Sequence, residues 1–192
     1  MKITNIIGSP HSTGNSATIA RILLEDLQTT EAQMNTFELN KLNYRGCQGC
    51  MACKTKLDHC AVKDDLTEVL EEVEESDVIL ISSPVYFGDI TAQTKGLIDR
   101  CYSYFRPDYK TNPNSSRLEP GKTLVFILPQ GNPDGKVFDD IVTKYTRIFG
   151  RLGFSHVYTI RALGVGPESD IRTEETVRKL INDTAQKIAI GV

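Results

Sequence analysis

Gly8-Ser9-Pro10-His11-Ser12-Thr13-Gly14-Asn15-Ser16 stands between an apolar run, Ile3–Ile7, and an amphipathic pattern that puts Ile19, Ile22, Leu23 and Leu27 on one face. A loop between a buried strand and a helix start presents free N–H groups and the positive end of the helix dipole, which together attract anions. Ser9, Ser12, Thr13 and Ser16 add hydroxyl donors, and Gly14 lets the backbone come close to a ligand. No Lys precedes Ser16, so this is not the nucleoside-triphosphate loop, and it lacks Gly-x-Gly-x-x-Gly. What remains suits one terminal phosphate held by hydroxyls and amides without a metal. The competing reading is a Ser/Asn-capped helix after a turn.

Outward from this stretch the chain repeats the same strand–loop–helix unit. Ile3–Ile7, Ala32–Leu39, Val78–Ile81, Thr123–Leu128 and His156–Ile160 read as strands, the second of them nearer a sheet edge. Ser16–Leu27, Asp64–Glu75, Asp89–Tyr102, Lys136–Leu152 and Thr173–Ile188 read as helices, with Gly153 ending the fourth. The acids of Asp64–Glu75 read as a solvated face. Five strands alternating with five helices predict α/β architecture, a doubly wound parallel sheet covered on both faces, for which 2-1-3-4-5 is a known strand order. The loops Gly8–Ser16, Ser82–Asp89 and Pro129–Gly135 would then lie side by side along one sheet edge.

The chain has 192 residues and a formal charge of −3, which fit one domain over 1–192 and argue against nucleic-acid binding. No stretch is long and apolar enough to span a bilayer, and the start of the chain shows no signal-peptide pattern, so a cytoplasmic location is expected. Five cysteines in such a chain read as thiols or metal ligands rather than disulfides.

Pro84-Val85-Tyr86-Phe87-Gly88-Asp89 combines a rigid residue, two aromatics and a Gly before a helix. A flat redox-active ring needs an apolar wall and backbone donors at its rim, which Tyr86, Phe87 and Gly88 can provide, with Gln130, Gly131 and Asn132 closing the other side. Alternatively the two aromatics tuck into the core, and Asp89 caps the helix.

The Gly8–Ser16 loop, the Ser-Pro-Val-Tyr-Phe-Gly-Asp segment running into Lys95-Gly96-Leu97-Ile98-Asp99-Arg100, and Gln130-Gly131 resemble the NAD(P)H-dependent FMN reductase family of the flavodoxin-like fold. The resemblance implies that Ser9, His11, Thr13, Gly14, Asn15 and Ser16 hold the FMN phosphate. It implies too that Pro84, Val85, Tyr86, Phe87, Gly88, Gln130 and Gly131 line the isoalloxazine, and that the protein is a homodimer or homotetramer. His11 departs from the family, which often has Arg there; a largely neutral imidazole makes the phosphate contact weaker and more pH-sensitive.

Cys47-x2-Cys50-x2-Cys53-x6-Cys60 places four soft ligands within one short segment, with Gly46 and Gly49 for its turns. The first three spacings match the iron–sulfur run of bacterial ferredoxins; the last gap is longer and no Pro follows Cys60. Zinc can also take four thiolates, and plain thiols are the third reading. The closer match is the iron–sulfur flavoprotein branch of the same family, which implies a [4Fe–4S] cluster. Met51 and His59 read as packing and surface residues, and Cys101 as buried on a helix. The long connection Ser103–Pro120 is expected to cover the flavin or to pack on a neighbouring subunit.

These readings lead to an FMN-dependent oxidoreductase without a catalytic acid or base. It takes electrons from NAD(P)H or a ferredoxin-type donor and passes them to a quinone, a flavin or another small acceptor. A flavodoxin-like carrier with no substrate of its own, a cluster-free reductase, and a non-flavin phosphate- or zinc-binding module are the alternatives.

Overall fold

Apolar residues of the central strands point alternately to two faces of one sheet, and that alternation organises the computed structural model, which describes residues 1–28 and 32–191. The strands are β1 (Lys2–Ile7), β2 (Gln33–Glu38), β3 (Val78–Ser82), β4 (Thr123–Ile127) and β5 (His156–Ile160), all parallel, in the order β2-β1-β3-β4-β5. This is the flavodoxin-like order. Ile6, Ile79, Ile81, Leu124 and Phe126 enter the core on one face, and Ile3, Val78, Leu80, Val125 and Ile127 enter the core on the other. The helices are α1 (Asn15–Leu27), α2 (Ala52–Thr55), α3 (Leu66–Glu75), α4 (Ala92–Arg100), α5 (Asp139–Leu152) and α6 (Glu175–Gly191). Leu66, Val69 and Val73 of α3, Leu97 of α4 and Tyr145 and Phe149 of α5 cover the first face; Ile19 and Leu23 of α1 and Ile181 and Ile188 of α6 cover the second. Strand β2 is an edge and is largely exposed, as its sparser apolar pattern predicts.

Four helices begin later than the periodicity predicts. Helix α3 starts at Leu66, whose N–H donates to the Asp64 carboxylate at 3.1 Å. Helix α4 starts at Ala92, because Thr91 is its N-cap: the Thr91 hydroxyl accepts from the Thr94 N–H at 3.2 Å. Asp89 is therefore not the cap; its carboxylate accepts from the Ile90 N–H and pairs with Lys144 at 2.7 Å. Helix α5 starts at Asp139, because Asp134 holds residues 134–137 in a turn that ends with Phe138 in the left-handed region. Helix α6 starts at Glu175, past a turn in which the Thr173 N–H donates to Asp170 O.

Hydrogen bonding continues beyond the strand ends and sets the loops in a row. The Gly8 N–H donates to Ser82 O at 2.8 Å, Ser83 N–H to Ile127 O at 2.9 Å, Val85 N–H to Pro129 O at 3.1 Å and Gln130 N–H to Ala162 O at 2.9 Å. The loops after β1, β3 and β4 thus sit side by side at the carboxyl edge, flanked by the segment after β5.

Candidate functional site

At that edge lies a cavity of about 700 Å³, within the ~300–1,000 Å³ usual for small-molecule sites. It gathers Ser9, His11, Thr13, Gly14, Asn15, Ser16, Pro84, Val85, Tyr86, Gln130 and Gly131, eleven of the thirteen ligand residues named from the sequence. Phe87 and Gly88 are not on its wall. They form the tip of a tight turn, with Tyr86 N–H donating to Asp89 O at 2.8 Å and Asp89 N–H donating to Tyr86 O at 3.1 Å. Both tip residues have positive φ, 48° and 86°, as the primed two-residue turns require, and the Phe87 ring projects fully into solvent.

One end of the cavity is built for an anion. Helix α1 starts at Asn15 with no side-chain cap and no acid in its first turn, so its dipole end faces the cavity unmodified. Ser9 is buried, and its hydroxyl accepts from the His11 N–H at 3.1 Å, which fixes the loop. The Gly14 N–H donates to His11 O at 3.1 Å, closing the turn before the helix.

Gln130 plays another part than the one its residue type suggests. Its amide donates to Asn132 O at 2.8 Å and accepts from Arg161 at 2.8 and 3.0 Å, while its N–H donates to Ala162 O and its C=O accepts from the Val165 N–H at 3.0 Å, so Gln130 braces the loop. Arg161 also donates to Gly135 O at 2.6 Å and clamps the loop after β4 from the end of β5.

Sequence reasoning missed the fourth wall. Val165, Gly166, Pro167, Ser169, Asp170, Ile171 and Arg172, between β5 and α6, line the cavity, and Asn15 Nδ2 donates to Gly166 O at 2.8 Å across it. Arg172 is the one full cation among the lining residues. The signal was the Gly164-x-Gly166-Pro167 turn following the last strand, at the same sheet edge as the other three loops.

The cysteines form a second cavity that shares no lining residue with the first. Cys47, Cys50, Cys53 and Cys60 all border a space of about 210 Å³, together with Arg100 and Tyr102. Gly49 and Met51 turn the segment with φ of 62° and 57°. Among the described residues no group of three or more His, Cys, Asp or Glu side chains is gathered closely enough for a single metal ion. Exposed His59 hydrogen-bonds with Asp58 at 2.7 Å, a surface role as expected, whereas Met51, read as a packing residue, is exposed beside the cavity. Cys101 is buried just past the end of α4, and burial pushes its thiol up to about 12, which leaves it inert.

The 103–120 connection does not border the large cavity. It braces the cysteine segment instead: Lys54 Nζ donates to Tyr102 O and Phe105 O, both at 2.7 Å, and Arg117 donates to Cys53 O at 3.0 Å. Phe105 and Tyr109 stack at 5.1 Å between ring centres, which keeps this connection against the body of the protein. Of the two roles expected for it, covering the flavin is thus not met within one chain.

Arg100, fully buried, ties the cysteine segment to α4. It donates to the Asp64 carboxylate at 2.9 Å, to Arg45 O at 3.0 Å and to Val62 O at 2.7 Å. Burial alone would raise the Asp64 carboxyl, but the Arg100 bond and the Arg45 and Leu66 N–H donors outweigh it and hold the group below the usual carboxylate range.

Residues 1–131 match the family model for NADPH-dependent FMN reductase. An iron–sulfur flavoprotein of Archaeoglobus fulgidus is 37% identical over 113 residues, 57% of this chain and 50% of that protein. The chain spans about half the length of the iron–sulfur flavoproteins it matches. An FMN-dependent NADH:quinone oxidoreductase of Pseudoalteromonas atlantica is 27% identical over 166 residues, 81% of this chain and 82% of that protein. In fold, the chain superposes with a TM-score of 0.72 on an FMN-dependent NADH-azoreductase from Bacillus anthracis solved with FMN, at 14% identity over 98% of this chain and 99% of that one. Among the described residues no helix is long and apolar enough to cross a membrane.

Proposed function

This chain belongs to the NADPH-dependent FMN reductase family, and from that premise we propose that it is an FMN-dependent oxidoreductase. Its electrons come from NAD(P)H or a ferredoxin-type donor and go to a quinone, a flavin or another small acceptor. The observation that carries this reading is the convergence of four carboxyl-edge segments on one cavity, with an uncapped helix start at one end and Pro84, Val85 and Tyr86 at the other. One flavodoxin-like FMN-binding domain over 1–192 is part of the same proposal.

Bound FMN supplies hydride acceptance at its N5 and release of one or two electrons. Ser9, Thr13, Asn15 and Ser16 would hold the phosphate with hydroxyls and helix-start amides, and Arg172 adds a full positive charge to the same wall. Pro84, Val85 and Tyr86 would form the apolar wall of the ring, and the Gly131 backbone would face it, held in place by Gln130. Phe87 and Gly88 shape the turn that aims Tyr86. No side chain acts as acid or base; the residues orient the ring and exclude water. With one open edge, donor and acceptor take turns at the same face. Phe87 at the cavity rim is the apolar surface that a homodimer or homotetramer would cover.

We assign to Cys47, Cys50, Cys53 and Cys60 a [4Fe–4S] cluster, which supplies a one-electron relay. A tetrahedral zinc site needs four sulfurs ~2.3 Å from one point, and the thiols are not so gathered. They surround instead a space of about 210 Å³, several times the ~30 Å³ share of one water molecule. The likeness to the Archaeoglobus fulgidus iron–sulfur flavoprotein supports the same choice.

The test is anaerobic purification of the full chain, followed by flavin titration, a visible spectrum, iron and sulfide analysis, and steady-state NADH and NADPH oxidation. FMN should bind about tenfold to a hundredfold tighter than riboflavin, the worth of one or two charge-assisted hydrogen bonds. Iron and sulfide should accompany the flavin, and a quinone or flavin acceptor should sustain turnover. Indifference to FMN overturns the redox reading. FMN binding with no turnover on any acceptor points to a carrier, and flavin without iron leaves a cluster-free reductase.

A further inference from the structure

Two buried cations back the four-cysteine cavity, and the flavin site uses neither. Arg100 lines this cavity on the Cys60 side. Its Nη1 and Nη2 are engaged by Asp64, Arg45 O and Val62 O, but its Nε is buried without an acceptor. A buried N–H with no partner is uncommon and costly in a folded protein. Lys54, 8% exposed, stands behind Cys53. Its Nζ donates to Tyr102 O and Phe105 O, both at 2.7 Å, and to Cys53 Sγ at 3.5 Å. An ammonium has three N–H groups and no acceptor, so this set directs its third proton at the sulfur. Cys47 and Cys50 are exposed and have no such backing, so the cavity is electrostatically lopsided.

Resting on the reading that these cysteines hold an iron–sulfur cluster, we infer that Arg100 and Lys54 set its reduction potential, with Lys54 donating to the Cys53 sulfur and the Arg100 Nε–H reserved for a sulfur on the Cys60 side. Reduction there adds one electron, taken from the reduced flavin or from an external reductant. No bond forms or breaks, and neither residue changes its proton count. Fixed positive charge and N–H···S bonds favour the more negative state, so both residues raise the potential. Asp64 neutralises much of the Arg100 charge, which leaves Arg100 to act through its N–H. Two of the Lys54 partners are neutral carbonyls, so Lys54 acts through its full charge.

The experiment is an anaerobic redox titration of the full chain loaded with FMN and iron, followed by visible and electron-spin spectra, with iron, sulfide and flavin counted per chain. Lys54→Met should keep iron and FMN while the equilibrium constant for one-electron reduction falls at least tenfold, a shift of about 59 mV. Arg100→Lys, which keeps the charge and loses Nε, should lower it about threefold. Lys54→Arg, which keeps the cation, should stay within about twofold of the natural chain. The flavin potential should hold steady in all three, since the cavities share no wall.

Loaded Lys54→Met and Arg100→Lys proteins with unmoved potentials overturn the inference and leave the cluster standing. If Lys54→Met loses its iron, Arg100→Lys decides alone, and an unmoved potential there overturns it. A natural chain that carries neither iron nor sulfide overturns the cluster reading and this inference together.

Discussion

Gly8 is required by space, not by backbone angle. A Cβ on it would stand 1.8 Å from Thr94 Oγ1 and 2.9 Å from Ser82 O. The same residue accepts from the Thr91 hydroxyl at 2.6 Å, so α4 docks directly on the start of the Gly8–Ser16 loop. Gly8→Ala should therefore cost about 1–3 kcal/mol in urea unfolding, as overpacking of a tight site does. Pairing it with Thr94→Ala should recover part of that loss, because the nearest clash is with a side chain. Full additivity of the two changes would refute the contact. The hydroxyls and the helix start of this loop were legible in the sequence, since each belongs to a local pattern. The reason for Gly8 was not, because Thr91 and Thr94 lie more than eighty residues away in the chain. Gln130 failed for a like reason: its amide looks available for a ligand until Arg161 is placed against it.

Among elements, strand and helix identity could be read with little loss, and the starts of α3, α4, α5 and α6 could not. Apolar periodicity persists through the turns that precede these helices, while the hydrogen bonds of Asp64, Thr91, Asp134 and Asp170 decide where each begins. The segment after β5 was hidden because its edge strand offers only a short apolar run, although topology places its carboxyl end in the same row. The loop after β4 depends on that neighbour. Arg161 fixes Gln130 and the carbonyl of Gly135, and so pre-shapes the rim before any ligand arrives. Arg161→Gln should weaken FMN binding about tenfold, near the worth of one charged hydrogen bond. The sheet should remain intact by circular dichroism. Unchanged affinity in a fluorescence titration would mean that the loop needs no such clamp.

Across the whole molecule, α4 is the rod that joins the two cavities. Thr91 at its start is bonded to Gly8, and Arg100 at its end lies against the cysteine segment, roughly 13 Å away at 1.5 Å per residue. The cysteine segment follows this rod: the Tyr44 hydroxyl donates to Gln93 O at 2.8 Å, and its ring edge would lie 3.1 Å from a Cβ at Gly96. The Asp64–Arg100 pair closes the far end with no exposure on the arginine side. Removing the carboxylate charge strands a buried guanidinium, so Asp64→Asn should cost about 3–5 kcal/mol at neutral pH. The pH dependence follows from the sign of the shift. The folded carboxyl sits below its unfolded value of ~3.9, so the pair stabilises the fold fully above that value and loses its contribution as pH falls through the folded one. Urea midpoints of the natural chain and of Asp64→Asn should therefore lie far apart at pH 7 and draw together below about pH 4, as the natural carboxylate takes up its proton. A gap that stays constant down to pH 3 would place the cost of the substitution in packing, and would remove the ion pair from its role at the end of the rod.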